Sequence, residues 1–168
     1  NQTNVREVMT PRIDIIAVDV HTPLSEAMNQ FIDSGFSRLP VFEENIDNIV
    51  GLLYAKDLLN LWRVGGMENG RTVRDLVRPA HFVPETKLAN ELLLELQNRK
   101  VHMAIVVDEY GGTSGLVTIE NLIEEIVGDI QDEYDVNEED EYEVNTDGIY
   151  TVDASMDLDD FNELLDVD

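Results

Sequence analysis

The sequence predicts an α+β protein made of two copies of one β-α-β-β-α unit, packed about a pseudo-twofold axis and followed by an acidic tail. Three observations lead there: an internal repeat, a regular alternation of strand-like and helix-like apolar spacing within each copy, and a charge distribution that breaks near residue 131. The repeat is legible directly. Val5-Arg6-Glu7-Val8-Met9-Thr10-Pro11 recurs as Val73-Arg74-Asp75-Leu76-Val77-Arg78-Pro79 at an offset of 68. After a four-residue contraction the offset settles at 64, matching Thr22, Leu24, Val41, Gly51 and Leu58 with Thr86, Leu88, Ile105, Gly115 and Leu122.

Each copy opens on a short helical turn stopped by proline, and the first strand follows at residues 13–18 and 81–83. An amphipathic helix comes next. In the first copy Thr22 is expected as its N-cap and Pro23 in its first turn, with Leu24, Ala27, Met28, Phe31 and Ile32 spaced to form one buried face. Leu88, Leu92, Leu93, Leu96 and Gln97 repeat that spacing with one polar exception. Two β-type runs then close each sheet, residues 38–42 and 49–54 in the first copy and 102–107 and 115–118 in the second. Turn-rich stretches at 43–48 and 108–114 separate them. The unit ends on a helix, at 56–62 and 119–127, and the glycines at 65, 66 and 70 mark the join between copies. The expected organisation is therefore 1–64 and 72–131 for the copies, 65–71 between them, 132–142 as an acidic linker and 143–168 as the start of a further domain. A unit of this size leaves one sheet face uncovered, so the copies should pack on each other and leave ligand clefts at the junction.

The formal charge of −25 belongs mainly to the tail. Residues 1–130 hold 20 acidic and 11 basic residues, whereas 131–168 hold 16 acidic and no Lys or Arg. Nucleic-acid backbones and anionic lipid are held by clustered Lys and Arg, so neither is expected as a partner. The absence of cysteine excludes disulfides and thiolate metal sites. No apolar run approaches the roughly 20 residues of a membrane-spanning helix, and a cytoplasmic segment cut from a longer protein is expected.

Together with the repeat, Ser37-Arg38-Leu39-Pro40-Val41-Phe42, Gly51-Leu52-Leu53-Tyr54-Ala55-Lys56-Asp57 and Gly115-Leu116-Val117-Thr118-Ile119-Glu120-Asn121 resemble a CBS-domain pair. Val8-Met9-Thr10-Pro11-Arg12, Val106-Val107-Asp108-Glu109-Tyr110-Gly111-Gly112 and Ile123-Glu124-Glu125-Ile126-Val127-Gly128-Asp129-Ile130 are similar, more narrowly, to the CorC/HlyC group. That group is associated with magnesium and cobalt efflux and is similar to the CNNM transport mediators. The resemblance implies a regulatory module that binds an adenine nucleotide, ATP with Mg2+ or AMP, and that forms a homodimer. It also implies, in many members, a preceding membrane domain. Beyond the pair, Gly148-Ile149-Tyr150 and Asp159-Asp160-Phe161-Asn162-Glu163 look like the opening of the group's small C-terminal domain.

Carried over by position, the resemblance assigns the nucleotide to Thr10, Arg12, Ile13, Asp14, Phe36, Ser37, Arg38 and Pro40 of the first copy, with Thr118 and Asn121 of the second. Adenine would lie near residues 36–40, Arg38 would reach the phosphates, and Thr118 would face them. Asn121 stands where aspartate is usual, which weakens a ribose contact by removing its charge. A second cleft would use Tyr54, Asp57, Pro79, His102 and Ala104, but the Tyr54 ring takes volume that phosphate needs, so one main site per chain is expected.

Other signals point nowhere further. Gly111-Gly112 lacks the Lys-Ser/Thr of a phosphate loop and reads as a hairpin turn. His21, His81 and His102 have no companion ligands in sequence, and the acidic runs lack EF-hand spacing, so no protein-held metal is expected. No nucleophile with a partner base is apparent, so enzymatic activity is not expected. The alternative to nucleotide binding is a ligand-free dimerisation scaffold.

Overall fold

A computed structural model describes residues 3–67 and 70–137; the expectations for residues 138–168 lie outside them. Among the described residues there are two sheets and five helices. The first copy holds β2 (Val18–Asp19), α2 (Leu24–Ser34), β3 (Arg38–Glu43), β4 (Asn45–Tyr54) and α3 (Ala55–Arg63). The second holds β5 (His81–Pro84), α4 (Ala89–Arg99), β6 (Met103–Val107), β7 (Thr113–Thr118) and α5 (Ile119–Asn137). Each copy is preceded by a leader: α1 (Val5–Val8) with β1 (Thr10–Pro11), and a 3-10 turn at Val73–Leu76. Within each copy the first strand pairs parallel with the second, and the second antiparallel with the third.

The leaders are exchanged. β1 pairs antiparallel with β7 of the second copy, Thr10 opposite Leu116, while Arg78 bridges Leu52 of the first copy through two 2.8 Å backbone bonds. Val5 is fully buried in the core of the second copy, among Val83, Leu92, Leu96 and Leu122. Val73 is fully buried in the core of the first, among Val20, Leu24, Val41 and Leu58. Each such valine contributes about 1.5–3 kcal/mol. The Val5 N–H donates to the Lys87 carbonyl at 2.8 Å and the Val73 N–H to that of Thr22 at 2.9 Å, so the pseudo-twofold relation is kept in the hydrogen bonds with a shift of one residue, since Lys87 matches Pro23 across the repeat. Between the sheets lies a third core of Ile49, Leu52, Met103, Ile105 and Leu116.

Two glycines make the exchange possible. A Cβ on Gly51 would lie 2.3 Å from the Arg78 carbonyl oxygen, and one on Gly115 at 2.3 Å from that of Thr10. Their match across the repeat thus has a steric cause: the other copy's backbone runs over them.

Five expectations need correction. Residues 13–18 are not a strand: Arg12–Asp14 forms a 3-10 turn, closed by the Ile15 N–H on the Arg12 carbonyl at 3.1 Å, and only Val18–Asp19 pairs. Pro23, not Thr22, caps α2, because the Thr22 carbonyl is drawn away to Val73. Ile32 is 70% exposed and so lies off the buried face. Residues 43–48 are not a long turn: Glu44, at φ 75°, reverses the chain alone, and β4 starts at Asn45. The hairpin at Gly111-Gly112 is as expected, with Gly111 at φ 85° and the Asp108 N–H donating to the Gly112 carbonyl at 2.9 Å. The final helix runs to Asn137, past the expected 127, since nothing in the acidic sequence stops it and helices tolerate one interior glycine such as Gly128.

Gly115→Ala is expected to cost about 1–3 kcal/mol or more in urea unfolding, because backbone must move. Gly128→Ala, whose new methyl meets open space within α5, should instead add about 0.5–1 kcal/mol. Equal unfolding midpoints for the two variants would contradict the packing described.

Candidate functional site

A cleft of about 310 Å³ opens where the first copy, its exchanged leader and the second copy meet. The first copy supplies one wall. Gly35, at φ 76°, ends α2 with its N–H on the Phe31 carbonyl at 2.9 Å and turns the chain into Phe36, Ser37, Arg38, Leu39 and Pro40. The leader supplies Thr10, Asp14, Ile15 and Ile16, and the second copy Met103, Leu116, Thr118, Glu120 and Asn121. Eight of the ten residues assigned from sequence line this cleft.

Arg12 and Ile13 do not. Ile13 is 89% exposed. Arg12 is held elsewhere: its guanidinium donates to the Asp47 carboxylate and, at 3.2 Å, to the Thr113 carbonyl. Asp47 also accepts the Thr113 N–H at 3.1 Å. The Arg12 bond first, then the Thr113 N–H, holds the Asp47 carboxyl below the usual range. This pair ties the leader and the extended β4 to the start of β7 at Thr113, outside the cleft.

Within the cleft, Ile15, Ile16, Phe36, Leu39, Pro40, Met103 and Leu116 offer the apolar surface a flat heteroaromatic ring requires, and Thr10, Ser37 and Thr118 offer hydroxyls. Arg38 brings the cation. Its side chain is only 16% exposed and sits 3.4 Å from the Glu120 carboxylate, so the first copy's cation is paired with an acid of the second across the opening. The first turn of α5 begins beside it, adding the positive end of a helix dipole, while its Ile119 and Asn121 N–H groups are taken by the His102 carbonyl and by Thr118 Oγ1.

Thr118 and Asn121 are locally occupied. The Thr118 N–H donates to Asn121 Oδ1 and the Asn121 N–H to Thr118 Oγ1, both at 3.1 Å, as in a capping box at the start of α5. Both residues therefore have a structural task. The Asn121 oxygen keeps one lone pair and its Nδ2 keeps its protons for a further partner.

The related second cleft is arranged differently. Arg78 donates from Nε and Nη2 to the two Asp57 oxygens, each at 2.8 Å, and its guanidinium carbon lies 4.5 Å from the centre of the Tyr54 ring. The bond to Asp57 raises the Arg78 pKa above its ordinary value.

Sequence reasoning missed Ile15, Ile16, Gly35, Leu39, Met103, Leu116 and Glu120. The apolar ones carry the same alternating signal as core residues, and Glu120 is one acid among many. Among the described residues no group of His, Asp and Glu could hold a metal ion, and no helix is long and apolar enough to cross a membrane.

The family model described as "CBS domain" matches residues 5–63 and 73–128. A chloroplastic DUF21 domain-containing protein of Arabidopsis thaliana is 46% identical, covering 98% of this chain and 26% of the relative. The magnesium and cobalt efflux protein CorC of Escherichia coli is 41% identical, covering 95% of this chain and 54% of its own. A solved CBS domain of a bacterial CNNM/CorC family Mg2+ transporter, in complex with ATP, is 51% identical over 75% of this chain and 88% of its own, with a TM-score of 0.71. This chain thus spans between about a quarter and about half of those curated relatives. None of these three is described as an enzyme.

Asp47 in β4 and Glu95 in α4 give a pH signature. Lys87 Nζ at 2.6 Å and His81 Nε2 at 2.6 Å lower the Glu95 carboxyl in the same sense. Carboxyls depressed by folding stabilise above their unfolded pKa, and that contribution is lost as pH falls through the folded value. This contribution should therefore hold from neutrality to about pH 5 and be lost as pH falls through ~4 and below, and Asp47→Asn with Glu95→Gln should flatten that acid decline. A doubly substituted chain with an unchanged acid limb in urea titrations would contradict the assignment.

Proposed function

Since this chain belongs to the CBS-domain family, as a tandem CBS pair homologous to the CNNM/CorC Mg2+ transporters, we propose that it binds an adenine nucleotide in the cleft between its copies. The ligand is ATP with Mg2+, or AMP, and occupancy regulates the longer protein of which this is one segment. The observation that carries the reading is the composition of the cleft: an apolar slot around Phe36 and Pro40, a shielded Arg38, and the N-terminus of α5 converge on one opening. The ATP complex of the 51% identical relative supports it.

Adenine is assigned to the slot between Ile16, Phe36 and Pro40, and the phosphates to Arg38, Thr118 and the start of α5. Asp14 and Glu120 face the same opening. Their charges oppose a bare triphosphate, and magnesium on the phosphates relieves that repulsion. The residues fit the group without supplying a metal site of their own. A parent protein with a membrane domain, a cytoplasmic face for this segment and a homodimer through the CBS pairs belong to the same proposal.

One observation favours the ligand-free scaffold as the alternative: Thr118 and Asn121 are already satisfied by each other. Calorimetric titration separates the two readings. One equivalent of ATP per chain is expected, bound more tightly with magnesium than without, and AMP, lacking most of the repelling charge, should be nearly indifferent to the metal. Arg38→Ala should weaken ATP at least about tenfold, or ~1.4 kcal/mol, while Arg12→Ala should change it far less. No heat and no thermal stabilisation at millimolar nucleotide would leave the scaffold standing instead.

A further inference from the structure

The repeat relates the two clefts residue by residue. At offsets of 68 and 64, Thr10 corresponds to Arg78, Thr118 to Tyr54 and Asn121 to Asp57. In the first cleft all three residues line open space. In the second, their counterparts are engaged with one another: the guanidinium caps the carboxylate through both oxygens and lies on the ring face. We propose that Arg78 is an internal occupant of the second cleft, holding it closed to nucleotide and so determining that the module takes one ligand per chain. The inference rests on the functional reading above for the identity of the ligand.

The chemistry is that of a ligand supplied by the protein itself. Asp57 is the position at which a carboxylate could accept ribose hydroxyls, and Arg78 uses both of its oxygens. A planar cation on an aromatic face takes the place that a flat base or a phosphate would need. Tyr54 narrows the space, and Arg78, lying on its ring, fills what is left and takes one lone pair on each Asp57 oxygen. Arg78 pairs with Leu52 through backbone atoms alone, so that pairing does not depend on which side chain stands there. Thr10 makes the same backbone pairing with Leu116 and has too short a side chain to reach Asn121 in this way.

The test is nucleotide stoichiometry in the whole chain with Mg-ATP, for the unmodified protein and for Arg78→Ala and Arg78→Gln. Both variants keep the backbone pairing, and retention of the wild-type circular dichroism and cooperative melting shows that they fold. The expected result is one equivalent for the unmodified chain and two for either variant. The second equivalent should survive when Thr118→Trp fills the first cleft. If the unmodified chain binds one equivalent and both folded variants still bind one, Arg78 is not the determinant. If the unmodified chain binds none, the functional reading fails by itself, yet an Arg78 variant that then binds one equivalent still supports the internal occupant, and one that binds none overturns it.

Discussion

The exchange of leaders between the copies is the constraint on which the rest of the structure depends. Each leader adds its backbone to the other copy's last strand, at Thr10 on Leu116 and Arg78 on Leu52, and each places a valine in the other copy's core. Neither copy is complete alone. The two matched glycines, at 51 and 115, are the places where this contact is closest, and a side chain at either would meet a carbonyl oxygen at 2.3 Å. With the leaders fixed, the sheets face each other across Ile49, Leu52, Met103, Ile105 and Leu116, and the clefts at their edges follow from geometry.

Function lies in how the two halves have diverged on this shared frame. Fold symmetry generates two clefts; residue identity decides what each can hold. In the first, short hydroxyl residues from the exchanged leader and from β7 leave space, and Arg38 stands at the opening with Glu120 as its partner. That pairing holds a shielded cation at the opening. In the second, a longer side chain at one position and an aromatic ring at another place a bidentate ion pair on the same frame. Because copy one, its leader and copy two each contribute walls to the open cleft, any shift of one copy against the other changes the site. A ligand that prefers one arrangement would therefore bias the junction by its difference in affinity, which is all that regulation by binding requires.

Much of this was legible in the sequence, for identifiable reasons. The repeat offsets located both copies, and strand and helix spacing placed most elements within a few residues. The resemblance named eight residues that line the cleft. What it missed depends on contacts distant in sequence. Nothing in Pro11-Arg12-Ile13-Asp14 announces a 3-10 turn; the turn accompanies an Arg12 held by Asp47, 35 positions away. Single-residue reversal at Glu44 is invisible because a non-glycine in the left-handed region is uncommon. Arg78 reads as one more basic residue before a proline until Asp57 and Tyr54 are seen beneath it. The exposed Ile32 shows the limit of periodicity, since spacing locates a helix face only to within about one residue's turn.

The most direct test is to follow backbone amide resonances of the full chain while Mg-ATP is added. The account predicts that the largest shifts fall together on three separated stretches, around Thr10, across residues 36–40 and across residues 118–121, while Tyr54, Asp57 and Arg78 stay nearly unmoved. Shifts centred on Tyr54 and Asp57, or confined to one copy, would contradict it.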